Sequence, residues 1–229
     1  MTKPNPFSTN YELIMATIAK VAKQANRNPQ DITLLAVSKK QSAETIIGAY
    51  EAGITNFGEN YLQEARDKMQ LLQHLPLTWH FIGPIQSNKA ADIARHFDFV
   101  HSVDRLKIAQ KLSAARQSHQ PPLKICIQVN IDEEPTKSGV LMPELLPLAK
   151  QITQLPNIKL CGFMALPKPR HGLMAQRRPY HKLQCARTML ANEGLILDTL
   201  SVGSSQDYQA AILEGATIIR LGEALLGKR

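Results

Sequence analysis

Short apolar runs recur along the chain, with amphipathic stretches between them. The runs are Leu34 to Ser38, Asn56 to Gly58, Trp79 to Gly83, Phe99 to Val103, Lys124 to Asn130, Leu160 to Leu166, Thr199 to Gly203 and Ile218 to Gly222. They are apolar on nearly every residue and do not alternate, so they predict strands buried on both faces, as in a parallel sheet wrapped by helices. Ala43 to Ala52, Tyr61 to Leu72, Arg105 to Arg116, Leu145 to Gln154 and Tyr208 to Glu214 carry apolar residues at spacings of three and four, which predicts helices. The order is strand, helix, strand, helix throughout. Eight such units predict a single (β/α)8 barrel, with a doubly wound open sheet as the alternative. A further helix is predicted over Thr9 to Gln24. Only seven residues follow Gly222, too few for a full eighth outer helix, and the N-terminal helix can cover that gap.

The length of 229 residues suits one such barrel, so residues 1–229 are expected to form one domain. No repeat beyond the strand and helix alternation, no low-complexity tract and no Gly/Ser linker divides the chain. The proline-bearing stretches around Pro121-Pro122 and from Pro167 to Pro179 are predicted loops. Met1 to Pro6 lacks the apolar core of a secretion signal, and no run approaches the about 18 apolar residues of a membrane span. A cytoplasmic protein is expected. Cys126, Cys161 and Cys185 are odd in number and lack paired spacing, and the histidines lack ligand spacing, so neither disulfide nor metal site is expected.

The formal charge of +8 permits an acidic partner, but the basic residues are scattered and no nucleic-acid motif accompanies them. The densest cluster is Lys168, Arg170, His171, Arg177, Arg178, His181 and Lys182. It reads as a solvated rim, or as an anion-attracting rim around a pocket.

In a barrel, working groups stand where the strands end. Those ends are polar here: Ser38-Lys39-Lys40, Gly58-Glu59-Asn60, Gly83 leading to Gln86-Ser87-Asn88-Lys89, and Gln128-Val129-Asn130. A lysine at that mouth can act as a Schiff-base nucleophile when burial or nearby positive charge frees its amine. Alternation along a strand lets only one of Lys39 and Lys40 enter; the plainer reading is two solvated lysines. Gly203-Ser204-Ser205 and Gly222 fall where barrels hold phosphate, after strands seven and eight. Ser204 with Asp207 three residues on also reads as an approximate capping box. Arg220 near the same mouth can face a phosphate or a ring nitrogen, or form a buried ion pair. Gly222 to Lys228 satisfies GxxxxGK, but Arg229 replaces Ser/Thr and no helix follows, so no nucleotide loop is read there.

Leu35 to Lys39, Phe57 to Tyr61, Trp79 to Lys89, Lys137-Ser138-Gly139, Gly162 to Pro167 and Leu200 to Ser205 together resemble the pyridoxal phosphate homeostasis protein family over nearly the whole chain. The eleven residues from Trp79 to Lys89 are the most specific match. The resemblance implies a barrel of the alanine racemase N-terminal type, a bound pyridoxal 5'-phosphate, and a part in vitamin B6 balance without an established catalytic reaction. It implies that Lys39 is the Schiff-base lysine, Asn60 a polar group at the cofactor, Ser205 and Gly222 phosphate contacts, and Arg220 the arginine beside the cofactor. Lys137 matches a second lysine of interest. Position 223 is Glu where the family commonly has Thr, so its side chain is expected to turn away or pair with a base, while the Glu223 N-H still serves the phosphate. The stretch Pro167 to Tyr180 matches only loosely. The implied partners are the cofactor and, through transient contact, apo-enzymes that use it; no nucleic acid, no membrane and a monomer are expected. The alternatives are a racemase or decarboxylase using the same cofactor, and a phosphosugar enzyme on the same barrel.

Overall fold

The structure, a computed structural model, describes residues 6–227. Met1 to Asn5, read above as no secretion signal, and Lys228 and Arg229 of the GxxxxGK match lie outside the described residues. Eight parallel strands close into a barrel in chain order: β1 (Thr33–Val37), β2 (Asn56–Glu59), β3 (Thr78–Phe81), β4 (Phe99–Val103), β5 (Leu123–Val129), β6 (Ile158–Ala165), β7 (Thr199–Ser201) and β8 (Ile218–Leu221). Closure rests on β1 against β8, with Thr33 opposite Ile218 and Ala36 opposite Leu221. This excludes the open sheet.

Nine helices lie among the described residues: α1 (Pro6–Gln24), α2 (Ala43–Glu51), α3 (Leu62–Leu71), α4 (Ala90–His96), α5 (Leu106–Ala115), α6 (Leu145–Ile152), α7 (Leu173–Asn192), α8 (Tyr208–Leu213) and α9 (Glu223–Leu226). None is long and apolar enough to cross a membrane. The missing eighth outer helix is a four-residue turn, α9. The gap is covered from α1, where Asn10 Nδ2 donates to the Leu225 carbonyl at 3.3 Å, while Arg27, just past α1, reaches the Ile212 carbonyl of α8 at 2.9 Å.

Both faces of the strands are buried, for two different reasons. Outward residues such as Leu34, Ala36, Phe57 and Phe163 pack against the helices in the main core. Inward residues Leu35, Phe99, Cys126, Cys161, Met164 and Ile218 fill the barrel as a second, smaller core. The near-continuous apolar strands of the sequence follow from this double burial. Cys126 and Cys161 are buried thiols of that inner core, and burial pushes both upward from the ordinary thiol range.

Two expectations need correction. The loop read from Pro167 to Pro179 ends at Gly172, and α7 carries the buried Pro179 within it. Proline removes one N-H from the ladder, but a helix of 20 residues with Tyr180, Leu183, Ala186 and Leu190 packed on its buried face outweighs that loss. Nor is Ser204 the N-cap of the helix that follows. That helix begins at Tyr208, and the Asp207 carboxylate turns back to accept the Ser204 N-H at 2.7 Å and its hydroxyl at 2.8 Å.

Candidate functional site

A cleft of about 440 Å³ opens at the carboxyl ends of the strands, a size typical of small-ligand sites. Lys39, Asn60, Ser205, Arg220, Gly222 and Glu223 all line it, so six positions spread over 185 residues of sequence meet at one opening. Val37, Ile82, Met164 and Leu166 supply its apolar wall, and Ser204 and Gln206 its edge. The apolar wall residues were not singled out from sequence, because strand interiors are apolar everywhere in this fold.

Lys39 is half-buried, whereas Lys40 is exposed with a positive φ of 60°. That turn is held from outside the barrel. The Lys68 ammonium of α3 donates to the Ser38 carbonyl at 2.7 Å, to Glu59 Oε1 at 2.8 Å and to Glu64 Oε1 at 2.6 Å. Glu59 Oε1 also accepts the Ser38 hydroxyl at 2.7 Å, and Glu64 accepts the Lys40 N-H. Ser38 and Glu59 therefore face α3, which leaves Lys39 and Asn60 as the cleft residues of β1 and β2. Burial pushes the Glu59 carboxyl up from its ordinary range, against the pull of Lys68 and Ser38. Nothing in the local sequence marks Lys68, which lies 29 residues beyond Lys39 on a helix.

Asn60 Oδ1 is buried and has no hydrogen-bond partner among the described residues. A buried amide oxygen left unpaired costs about 1–3 kcal/mol, so it fits a ligand donor arriving in the cleft. The backbone close to Asn60 is fixed by Gly83, where a Cβ would stand 2.1 Å from the Asn60 carbonyl oxygen. This close approach is one physical reason for the glycine in the Trp79 to Lys89 stretch. Gly203 serves the other side: its φ of 92° turns the chain from β7 into the Ser204-Ser205 loop, where a Cβ would meet Ala211 at 2.7 Å.

Arg220 is buried in the barrel wall of the cleft, and of the two alternatives read for it the buried ion pair is not seen among the described residues. Its Nη2 donates to the Ala165 carbonyl at 3.0 Å, and its Nη1 to the Ser201 carbonyl and hydroxyl. Burial lowers its pKa from the ordinary value, with Tyr180 and Asp207 opposing. Glu223 is exposed at the start of α9 and lines the opening. The first N-H groups of such a turn have no partner inside it.

Two hollows adjoin the cleft through Asn60. One of about 500 Å³ is walled by Gln128, Asn130, Lys137, Leu166 and Pro167. Asn130 is spent on its own loop, donating to the Glu134 carbonyl at 2.8 Å, and Lys137 pairs with Glu134 at 2.7 Å. The other, of about 310 Å³, holds Gln86 and Lys89 with Arg66. The polar ends of β3 and β5 thus serve neighbouring hollows.

The basic stretch is tied down in pieces. Arg170 grips Asp132 with both Nη atoms, and the Lys168 N-H reaches the same carboxylate at 2.6 Å. Arg177 and His181 share Glu214 at 2.6 and 3.0 Å. Burial pushes the Asp132 carboxyl up, but Arg170 and the Lys168 N-H outweigh it and hold the group below its ordinary range. A lowered carboxyl contributes stability above the unfolded value of about 4 and loses it as pH falls through the folded value. The loop from Pro167 to Gly172 is therefore expected to loosen below about pH 4, and at pH 7 in Asp132→Asn. Hydrogen exchange at the Lys168 amide checks this; unchanged protection in the variant would show that the clamp does not hold the loop.

The chain matches the family described as alanine racemase, N-terminal domain, over residues 11–229. It is 50% identical over 220 residues to the pyridoxal phosphate homeostasis protein of Pseudomonas aeruginosa, covering 96% of this chain and 94% of that one. It is 42% identical over 228 residues to the protein of the same name from Escherichia coli K12, covering 98% and 97%. Among solved structures, PipY of Synechococcus elongatus PCC7942 with PLP bound superimposes with a TM-score of 0.81 at 35% identity, covering 92% of this chain and 100% of that one.

Proposed function

The chain belongs to the pyridoxal phosphate homeostasis protein family, and from that premise we propose that it holds pyridoxal 5'-phosphate reversibly and exchanges it with apo-enzymes or the free pool. The observation that carries this reading is the convergence of Lys39, Asn60, Ser205, Arg220, Gly222 and Glu223 on one cleft. The cofactor, when bound, supplies an aldehyde that condenses reversibly with amines.

The residues present fit that group. Lys39 is the amine within the cleft and would hold the aldehyde as a Schiff base. Asn60 Oδ1, buried without a partner, awaits a donor. Ser205 and the backbone of Gly222 and Glu223 would receive the phosphate, with the exposed Glu223 carboxylate free to turn to solvent. Arg220 gives the inner wall a permanent positive charge.

The carrier reading is preferred to an enzyme of the same cofactor for a reason in the cleft. A racemase needs an acid/base group on each side of the reacting carbon. The acid/base groups lining the cleft among the described residues are Lys39 and the exposed Glu223, with no histidine, tyrosine or cysteine to stand as a buried second base. Residues 1–229 as one domain, a cytoplasmic location, a monomer and transient contact with apo-enzymes complete the proposal; the opening of the cleft at the barrel mouth suits exchange.

The test is the visible spectrum of the purified protein with added pyridoxal phosphate, followed by borohydride reduction and mass-spectrometric mapping. A reduced pyridoxyl adduct on Lys39 is expected. No adduct on any lysine would return the cleft to an unassigned anion site.

A further inference from the structure

The barrel interior holds a line of polar side chains that the proposed function does not use. Arg220 Nη1 lies 2.9 Å from Ser201 Oγ, Ser201 Oγ 2.7 Å from His101 Nδ1, His101 Nε2 2.9 Å from His80 Nδ1, and His80 Nε2 3.1 Å from Asn56 Oδ1. The line starts where β2 begins and ends at the cleft. His80, His101 and Ser201 are 3%, 0% and 0% exposed, so each polar atom depends on its neighbour in the line.

The direction of every bond follows from its two ends. A guanidinium only donates, so Ser201 Oγ accepts from Arg220. The buried Ser201 hydroxyl then donates its hydrogen to His101 Nδ1. His101 carries its proton on Nε2 and gives it to His80 Nδ1, and His80 gives its Nε2 proton to Asn56 Oδ1. A second proton on either ring would place two hydrogens in one gap. Burial acts in the same sense: it lowers His80 to about 3, with help from Lys124, and His101 well below its ordinary range, with help from His80 and Arg220. Both imidazoles are neutral.

Every anchor of Arg220 is therefore an uncharged oxygen, namely the Ser201 carbonyl and hydroxyl and the Ala165 carbonyl. Nothing in the line cancels its charge, which remains available to the cleft. Resting on the reading of the cleft as a pyridoxal phosphate site, we propose that His101 and Ser201 are positioning residues that lock the Arg220 guanidinium against the bound cofactor. His80 and Asn56 fix the tautomer that makes His101 an acceptor.

The test measures pyridoxal phosphate affinity in Ser201→Ala, His101→Leu, their double variant and His101→Asn. Each of the first two should weaken binding about tenfold, as expected for a lost buried hydrogen bond. The double variant should be no worse than the weaker single, because both act through Arg220. His101→Asn should regain most of the affinity, since its amide oxygen can accept the Ser201 proton where Nδ1 stood. Affinities unchanged while only the melting temperature falls, or single effects that add, would overturn the proposal. Nitrogen NMR of the cofactor-free wild type gives a separate reading that needs neither loading nor a folded variant. Two neutral Nε2-H rings between pH 6 and 8 support the line, whereas an Nδ1-H or protonated ring overturns it. If the wild type takes up no pyridoxal phosphate, the reading of the cleft fails, and the NMR result still decides the line.

Discussion

Lys39→Ala is expected to abolish covalent uptake of pyridoxal phosphate: no visible band and no reduced adduct, while Lys40→Ala and Lys137→Ala keep both. The reason is placement more than identity, since this chain has several lysines near the barrel mouth. Lys39 is half-buried on the cleft wall, and Lys40 beside it points to solvent. Lys137 lines the neighbouring hollow instead, and its ammonium is held there by Glu134 at 2.7 Å. Spectra and mass mapping of the three variants decide it. A full-strength adduct elsewhere in Lys39→Ala would move the anchor and with it the role given to the cleft. Weak non-covalent retention in that variant is compatible with the assignment, because Arg220, Asn60 and the Ser204-Ser205 loop remain.

The second large effect is expected at Lys68. Its ammonium, 8% exposed as a side chain, is the counter-charge to Glu59, whose side chain is 0% exposed. Removing one partner of a buried pair leaves the other uncompensated, at a cost of about 3–5 kcal/mol. Lys68→Met should therefore lose about 3 kcal/mol at pH 7. For a chain of this size that corresponds to roughly 6–12 °C in melting temperature, followed by the fluorescence of Trp79, the single tryptophan. The loss should shrink on acidification. Burial already raises the Glu59 carboxyl, and without Lys68 it rises further. A group raised in the folded state contributes stability that is full below its unfolded value and is lost as pH climbs through the folded one. The variant should thus approach the wild type as pH falls toward the unfolded value of about 4.3. Cofactor uptake should also slow, because the Ser38 carbonyl loses the ammonium that fixes the turn carrying Lys39, and Glu64, which holds the Lys40 N-H, loses its counter-charge. An equal loss at pH 5 and pH 8 would show that Glu59 is not the group left exposed to the cost.

Strands and their order were legible because apolar runs are local patterns and each strand had to be apolar on both faces. Boundaries shifted by a few residues; β3 ends at Phe81, before Gly83, and β7 is only three residues long. Helix α4 escaped notice because seven residues give too little periodicity, and α7 because a proline and a basic stretch masked its buried face. Strand ends led to Lys39, Asn60, Ser205, Arg220 and Gly222, the resemblance added Glu223 and the roles, and the structure brings all six to one cleft. Of the capping box read at Ser204 and Asp207, one half is present, the Asp207 carboxylate accepting the Ser204 N-H at 2.7 Å, while the Ser204 hydroxyl donates to that carboxylate in place of accepting an N-H.

By itself the sequence determined that eight two-sided apolar strands alternate with helices, and that a lysine, an asparagine, a serine loop and an arginine stand near strand ends. Only the tertiary structure decided which of two adjacent lysines enters the cleft, because that depends on Lys68 and Glu59 drawing Ser38, and Glu64 drawing the Lys40 N-H, toward α3. Only it revealed the line from Asn56 through His80, His101 and Ser201 to Arg220. Those residues lie on β2, β3, β4, β7 and β8, and a spacing of 100 residues between His101 and Ser201 carries no periodic signal. Barrel closure places them side by side, since inward positions of strands on opposite sides of a narrow barrel meet across its interior.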